Sequence, residues 1–223
     1  MLARELVALG TATDPYQPIE GRYRITRRSL EVLAANSTPV ELITKGPMVV
    51  RDRDVLVELS RRTTCTVSIS VPTTDEDAWR ALEPGAAHPL QRLRAGRALA
   101  DAGVLMAPIG PGVSSHPTKL ERTIKAIADH GATYIGGFLM HLEGGTRDHF
   151  LSFVSREYPD LVEGSGRLYA GKYARKDYTE QVRTVLGALK ARYGLTRDRP
   201  LPAPLRPVPT APDVEQQELF LAR

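Results

Sequence analysis

The sequence predicts an α/β fold, a parallel sheet built from repeated strand–helix units. Three observations carry this. Short apolar, β-branched runs recur about every 30 residues, the spacing of strand–helix–strand units. Between them, apolar residues fall at helical spacing. The runs are continuous rather than alternating, as strands covered by helices read. Right-handed crossovers in series give either an open doubly wound sheet or part of a barrel. Five units are visible, and a closed eightfold barrel needs more chain than 223 residues arranged this way.

The elements follow in order. The predicted strands are 6–9, 40–44, 65–71, 104–109 and 133–139. After the first comes the loop Gly10-Thr-Ala-Thr-Asp-Pro-Tyr-Gln-Pro-Ile-Glu-Gly-Arg22, rich in rigid and ionisable residues. A helix follows it, with Thr26 as N-cap and Leu30, Leu33 and Ala34 on one face. Val55, Leu56 and Leu59 mark the next helix. Leu120, Ile124, Ile127 and Ala128 form the clearest stripe, entered by Thr118 and Glu121 at capping-box spacing and closed by Gly131. Thr146 is positioned to cap a helix whose Phe150, Phe153 and Val154 point one way until Pro159. After Leu161 the pattern loosens around Gly164, Gly166 and Gly171. A last helix carries Val182, Val185, Leu186 and Leu189 and ends at Gly194. Residues 1–195 thus read as one domain. Residues 196–223 read as a disordered Pro-rich tail, because six prolines fall between Arg197 and Pro212.

Composition narrows the function classes. A net charge of +4 permits an anionic or nucleic-acid partner without requiring one. One cysteine, Cys65, allows no intrachain disulfide and no thiolate metal site by itself. No apolar run approaches the roughly 18 residues of a membrane span, and Arg4 and Glu5 interrupt any signal-peptide pattern. The expected location is the cytoplasm, with no membrane partner.

Unusual residues cluster just after strands. They are Asp14 and Glu20 after the first, and Thr44, Lys45 and Gly46 after the second. Ser68 and Ser70 lie within the third, which Thr73, Thr74 and Asp75 follow. Pro108-Ile-Gly-Pro-Gly112 closes the fourth, and His141, Glu143, Gly144 and Gly145 close the fifth. Parallel strands present all their C-terminal ends to one rim, so five such loops define a candidate site. Each residue also has a plainer reading. Lys45 fits a solvated loop lysine, an ion-pair partner, or a desolvated amine for Schiff-base chemistry. Ser68 and Ser70 alternate onto one strand face and need partners, either a ligand hydroxyl or backbone and water. Gly110 and Gly112 suit a close backbone approach to a flat ligand, or a plain turn. His141 and His149 read as structural or surface histidines. No His/Cys metal constellation, phosphate-binding Gly-rich motif or nucleophile elbow is present.

Several rare strings in a fixed order resemble a known group. They are Gly10-Thr-Ala-Thr-Asp-Pro-Tyr-Gln-Pro-Ile-Glu20, Thr26-Arg27, Ile43-Thr-Lys45, Arg51-Asp52, Val67-Ser-Ile-Ser70, Leu82-Glu-Pro84, Arg92-Leu93 and Ala107-Pro-Ile-Gly-Pro-Gly112. Together, over about residues 6–195, they look like radical S-adenosyl-L-methionine (SAM) proteins, in the branch similar to spore photoproduct lyase, a DNA-repair enzyme. The resemblance implies a partial TIM-type (β/α)6 barrel that binds SAM across its C-terminal rim. It also implies a 4Fe-4S cluster that cleaves SAM to a radical, a lyase-like activity, and a DNA or nucleotide substrate. By the same resemblance, Thr11, Thr13 and Asp14 would contact the methionyl end of SAM. Lys45 and Arg92 would take its carboxylate, Ser68 or Ser70 its ribose or amino group, and Ile109, Gly110 and Gly112 would flank the adenine.

The chain departs from that pattern at one point. The family holds its cluster with a Cys-x-x-x-Cys-x-x-Cys loop after the first barrel strand, upstream of every string quoted above. Cys65 matches none of those ligands. The expectation is therefore a barrel lacking its first strand and inactive as written, with Met1 internal to a longer reading frame. The alternative is a non-catalytic relative. In the tail, Gln216-x-x-Leu219-Phe220 resembles a bacterial sliding-clamp-binding peptide on a long tether, so the clamp is an expected partner.

Overall fold

The computed structural model describes residues 5–99 and 102–196. Five strands, β1 (Val7–Leu9), β2 (Val40–Thr44), β3 (Cys65–Ser70), β4 (Gly103–Ile109) and β5 (Ile135–Leu139), form one sheet. Every pairing is parallel and the order is β1-β2-β3-β4-β5. No pairing joins β1 to β5, so the sheet is not closed. Each strand is thus added beside its predecessor, without the reversal of order that a doubly wound sheet requires.

Helices follow the strands as periodicity requires. After β1 come a single turn, α1 (Glu20–Tyr23), and then α2 (Ile25–Ala35). A 3-10 segment, Pro47–Asp52, leads from β2 into α3 (Arg53–Arg62). Two helices, α4 (Glu76–Leu82) and α5 (Pro89–Ala98), separate β3 from β4. The remaining helices are α6 (Pro117–Asp129), α7 (Gly145–Glu157), α8 (Val162–Leu168) and α9 (Lys176–Arg192).

Strand register fixes which residues share a face. Ile69 pairs with Val104, and Val104 with Ile135, so these three and Gly137 point the same way. Ile69 packs on Gly96 of α5, where a Cβ would lie 3.3 Å from Ile69 Cγ1. Gly137 packs under Leu186 of α9. Both helices therefore cover one face. Leu42, Leu59, Ile69, Met106, Ile124 and Ile127 fill the core beneath them, each at most 1% exposed. The opposite face carries Ser68, Ser70, Leu105, Gly136 and Phe138. At its lower end Tyr134 lies flat over Gly103, where any Cβ would fall 2.1 Å from the ring. The Tyr134 hydroxyl donates to Val67 O at 3.1 Å and lies 2.9 Å from Ser68 Oγ.

A second, smaller core sits at the C-terminal end of the sheet. Phe150, Phe153 and Val154 of α7 meet Ala78, Val113, Leu142 and Tyr169. The Tyr169 hydroxyl donates to Met140 O at 2.7 Å, which satisfies the phenol inside that core.

Four local expectations are corrected. Thr26 does not cap α2: Arg24 occupies that position in the left-handed region, and Thr26 Oγ1 instead donates to Pro15 O at 2.5 Å. The open amides of Thr26 and Arg27 are taken by the Glu20 carboxylate, an acid six residues upstream that the helical-turn rules do not anticipate. Thr118 and Glu121 make no capping box, because α6 opens with Pro117 after His116 and Glu121 pairs with Arg192 and Tyr193. Thr146 lies inside α7, whose N-cap is Gly144. The segment after Leu161 is not loose: α8 runs through Gly164 and Gly166, which tertiary packing of Ser165 and Leu168 allows despite low intrinsic propensity.

Candidate functional site

The first loop is held to the end of β2 by one carboxylate. Asp14 Oδ1 accepts from Thr44 Oγ1 at 2.6 Å and from the Tyr16 amide at 2.8 Å. Its Oδ2 accepts from the Lys45 amide at 2.6 Å. Gly10, with φ of +94°, crosses so close over β2 that a Cβ would lie 1.9 Å from Ile43 O. Both Asp14 oxygens are thus engaged in tying the loop to the end of β2. Thr11 and Thr13 remain exposed on the rim.

Beside this loop, two cations share one acid. Lys45 Nζ lies 2.9 Å from Glu83 Oε1, and Arg92 Nη1 lies 2.7 Å from Glu83 Oε2. Lys45 is the first residue after β2, Glu83 ends α4, and Arg92 sits inside α5. Two successive strand–helix units, those of β2 and β3, thus supply one charge cluster. Arg92 is fully buried; its Nε donates to Ala87 O at 2.6 Å and its Nη1 to Ser70 O at 3.0 Å. Its Nη2 is buried with no hydrogen-bond acceptor among the described residues. A buried guanidinium N–H left unpaired is costly, so the cluster is chemically suited to an additional anionic oxygen.

A second ionic cluster lies on the outer side of the loop. Arg51 joins Glu20 at 2.9 Å and Asp52 at 2.8 Å, and Tyr16 Oη donates to Asp52 Oδ2 at 3.0 Å. Arg27 bridges Asp52 and Asp54. Burial alone would push the Asp52 carboxyl up, but the Arg51, Tyr16 and Arg27 donors outweigh it and hold it below the usual carboxylate range. Burial likewise opposes ionisation of Glu20, and the Thr26 amide and Arg51 hold it low. Tyr16 is pushed far up, first by burial and then by Asp52, and stays a neutral donor. Every acid here has its partners, which makes this cluster a clamp for the loop.

Ser68 and Ser70 are buried on the face opposite the helices. Ser68 is engaged by Tyr134; among the described residues Ser70 Oγ has only a long contact, 3.5 Å, to Ala107 O. Ile109 is buried at the end of β4. The turn after it is closed by its own serines: Ser114 Oγ accepts from the Gly110 amide and Ser115 Oγ from the Gly112 amide, both at 2.9 Å. Asp75 caps α4 and pairs with Lys119 and Arg122. Glu143 pairs with Lys172. The structure thus brings Lys45, Ser70 and Arg92 together, ties Asp14 to Lys45 through its amide, and leaves Ile109, Gly110 and Gly112 on the next strand of the rim. Glu83 is the residue that spacing does not reveal. Its only signal in the sequence is the string Leu82-Glu-Pro84. Gln216, Leu219 and Phe220 lie outside the described residues.

The thiol does not suit a cluster. Cys65 starts β3, at the opposite end of the sheet from the rim, and burial pushes its pKa up to about 11. Among the described residues, no group of three or more His, Cys, Asp and Glu side chains is placed to hold a metal. The residues present therefore do not fit an iron–sulfur cluster. No helix among the described residues is long and apolar enough to cross a membrane.

No family model matches the chain. It is similar to an uncharacterized protein of Mycobacterium bovis and to uncharacterized proteins of two strains of Mycobacterium tuberculosis. Each is 37% identical over 205 residues, covering 89% of this chain and 60% of the relative. The chain thus spans about three fifths of the length of these relatives.

Proposed function

We propose that this chain forms the SAM-binding rim of a partial (β/α)6 barrel of the radical SAM type, in a branch similar to spore photoproduct lyase. The observation that carries the reading is the cluster at the ends of β2 and β3, where the buried Arg92 Nη2 lacks an acceptor beside Lys45 and Glu83. An amino acid headgroup has complementary chemistry: its carboxylate suits Lys45 and Arg92, and its ammonium suits Glu83. Ser70, with only a long contact of its own, is available to a ribose hydroxyl. In this reading Ile109, Gly110 and Gly112, at the end of β4, mark the adenine side, and Thr11 and Thr13 line the outer rim. The sequential strand order with helices on one face supports the barrel part of the reading.

Radical cleavage of SAM would need a one-electron donor, which the described residues of this chain are not fitted to hold. The chain's own residues bind and orient SAM, and no cluster-dependent step is assigned to them. The activity of a longer protein, a lyase reaction on DNA or a nucleotide, belongs to the same proposal.

A second reading draws on the lone, poorly ionising Cys65: a non-catalytic relative tethered to the replication clamp through Gln216, Leu219 and Phe220. Isothermal titration separates the two. The first expects saturable SAM binding to the chain without any cluster. The second expects none, together with clamp capture that Leu219→Ala and Phe220→Ala abolish.

A further inference from the structure

The outer edge of β5, which pairs with no other strand among the described residues, and the facing side of α9 enclose a groove of about 910 Å³. Lys45, Glu83 and Arg92 do not line it; Ala107 and Pro108, the two residues before Ile109, do. One wall is the consecutive run 137–141, which starts on β5; the other is the α9 face from Lys176 through Arg183 to Leu186. The ten rises of helix from Lys176 to Leu186 span about 15 Å, and the extended run 137–141 spans about 13–16 Å, the length of a four- or five-residue extended segment.

The strand wall is a hydrogen-bonding surface. The Val104 amide donates to Tyr134 O, so in a parallel ladder the alternate residues 134, 136 and 138 turn their main-chain groups toward β4. Gly137 and Leu139 therefore turn theirs outward, into the groove. Val182 and Leu186 provide an apolar floor, and Phe138 stands 59% exposed beside it. The charged wall is unequal. Lys176 has a long pairing with Glu180 at 3.9 Å, while Arg183 has no ion-pair partner among the described residues.

We infer that this groove is a docking site for an extended, apolar and acidic peptide segment of a partner protein, added to the sheet beside β5. Main-chain bonds to Gly137 and Leu139 supply register, the apolar floor takes alternate side chains, and an acidic side chain answers Arg183.

The test uses the full chain and a fluorescein-labelled peptide of five valine–glutamate repeats, read by fluorescence polarisation and by amide hydrogen exchange. The expected result is saturable binding, slowed exchange at Gly137 and Leu139, and about tenfold weaker binding by Arg183→Glu. Arg61→Glu, a surface change on α3, leaves binding unaltered. Arg183 and Arg61 are both exposed, so neither variant threatens folding. Absence of saturable binding overturns the inference. So does binding without protection at Gly137 and Leu139, or with the same affinity in Arg183→Glu.

Discussion

Arg92 is wholly buried, and its guanidinium meets the Glu83 carboxylate at 2.7 Å. The pair is unequal to its neighbour. Lys45, on the other oxygen of Glu83, is 43% exposed and loses little hydration by pairing.

That inequality predicts the mutational response. Glu83→Leu leaves a buried guanidinium without a counter-charge and lowers unfolding free energy by about 3–5 kcal/mol. Lys45→Met costs under about 1 kcal/mol. Urea denaturation of the two variants checks this. Equal losses would show that Glu83 serves the two cations alike.

The outer cluster predicts acid sensitivity. Glu20 and Asp52 are held below their usual ionisation range in the folded chain. Their contribution is present above the unfolded-state values, near pH 4, and is lost as pH falls through the lower folded values. Stability should hold from neutrality to about pH 4 and then drop. Arg51→Met should be less stable at neutrality and show a shallower drop, because the carboxyls then rise toward ordinary values. Denaturation at pH 7, 4 and 3 reads both effects.

Tyr134 over Gly103 predicts a steric lesion. Gly103→Ala drives a methyl into the ring and should cost about 1–3 kcal/mol by overpacking. Tyr134→Phe should cost about 1–3 kcal/mol for a different reason, since Ser68 Oγ loses its phenol partner. Thermal unfolding of both single variants tests the contact.

The Cys65 thiol, pushed up to about pH 11 by burial, should react slowly with an aromatic disulfide reagent at pH 8. Unfolding in guanidinium should speed the reaction by more than about tenfold, because the unfolded thiol ionises near pH 8.5. A fast native reaction would place Cys65 in an open, thiolate-stabilising setting.

These relationships differ in how far the sequence discloses them. The strand at 40–44 was legible to the residue, because an apolar run between Pro39 and Lys45 has no competing period. The α6 stripe was equally plain, but its start was not: Pro117 at the first turn fixes the helix entrance before Thr118 can cap it. Helix α8 was hidden by two glycines, since only tertiary packing distinguishes it from a turn. At the rim, Lys45 and Arg92 stand out through their place in a resemblance. Glu83 does not, because its contact with Lys45 crosses from one strand–helix unit to the next and its contact with Arg92 crosses the break between two helices, so no helical or strand spacing joins the three. Asp14 and Glu20 were visible as acids, yet their roles as a loop clip and a helix cap depend on partners elsewhere in the fold.

The most direct measurement is isothermal titration of the full chain with SAM, run beside Lys45→Met and Arg61→Gln. The account predicts one saturable site, weakened about tenfold or more by Lys45→Met through loss of a charge-assisted bond to the carboxylate. Arg61→Gln, far from the rim on α3, should bind as the parent does. Binding unaffected by Lys45→Met, or no heat of binding with SAM in millimolar excess, would contradict the assignment of this rim to SAM.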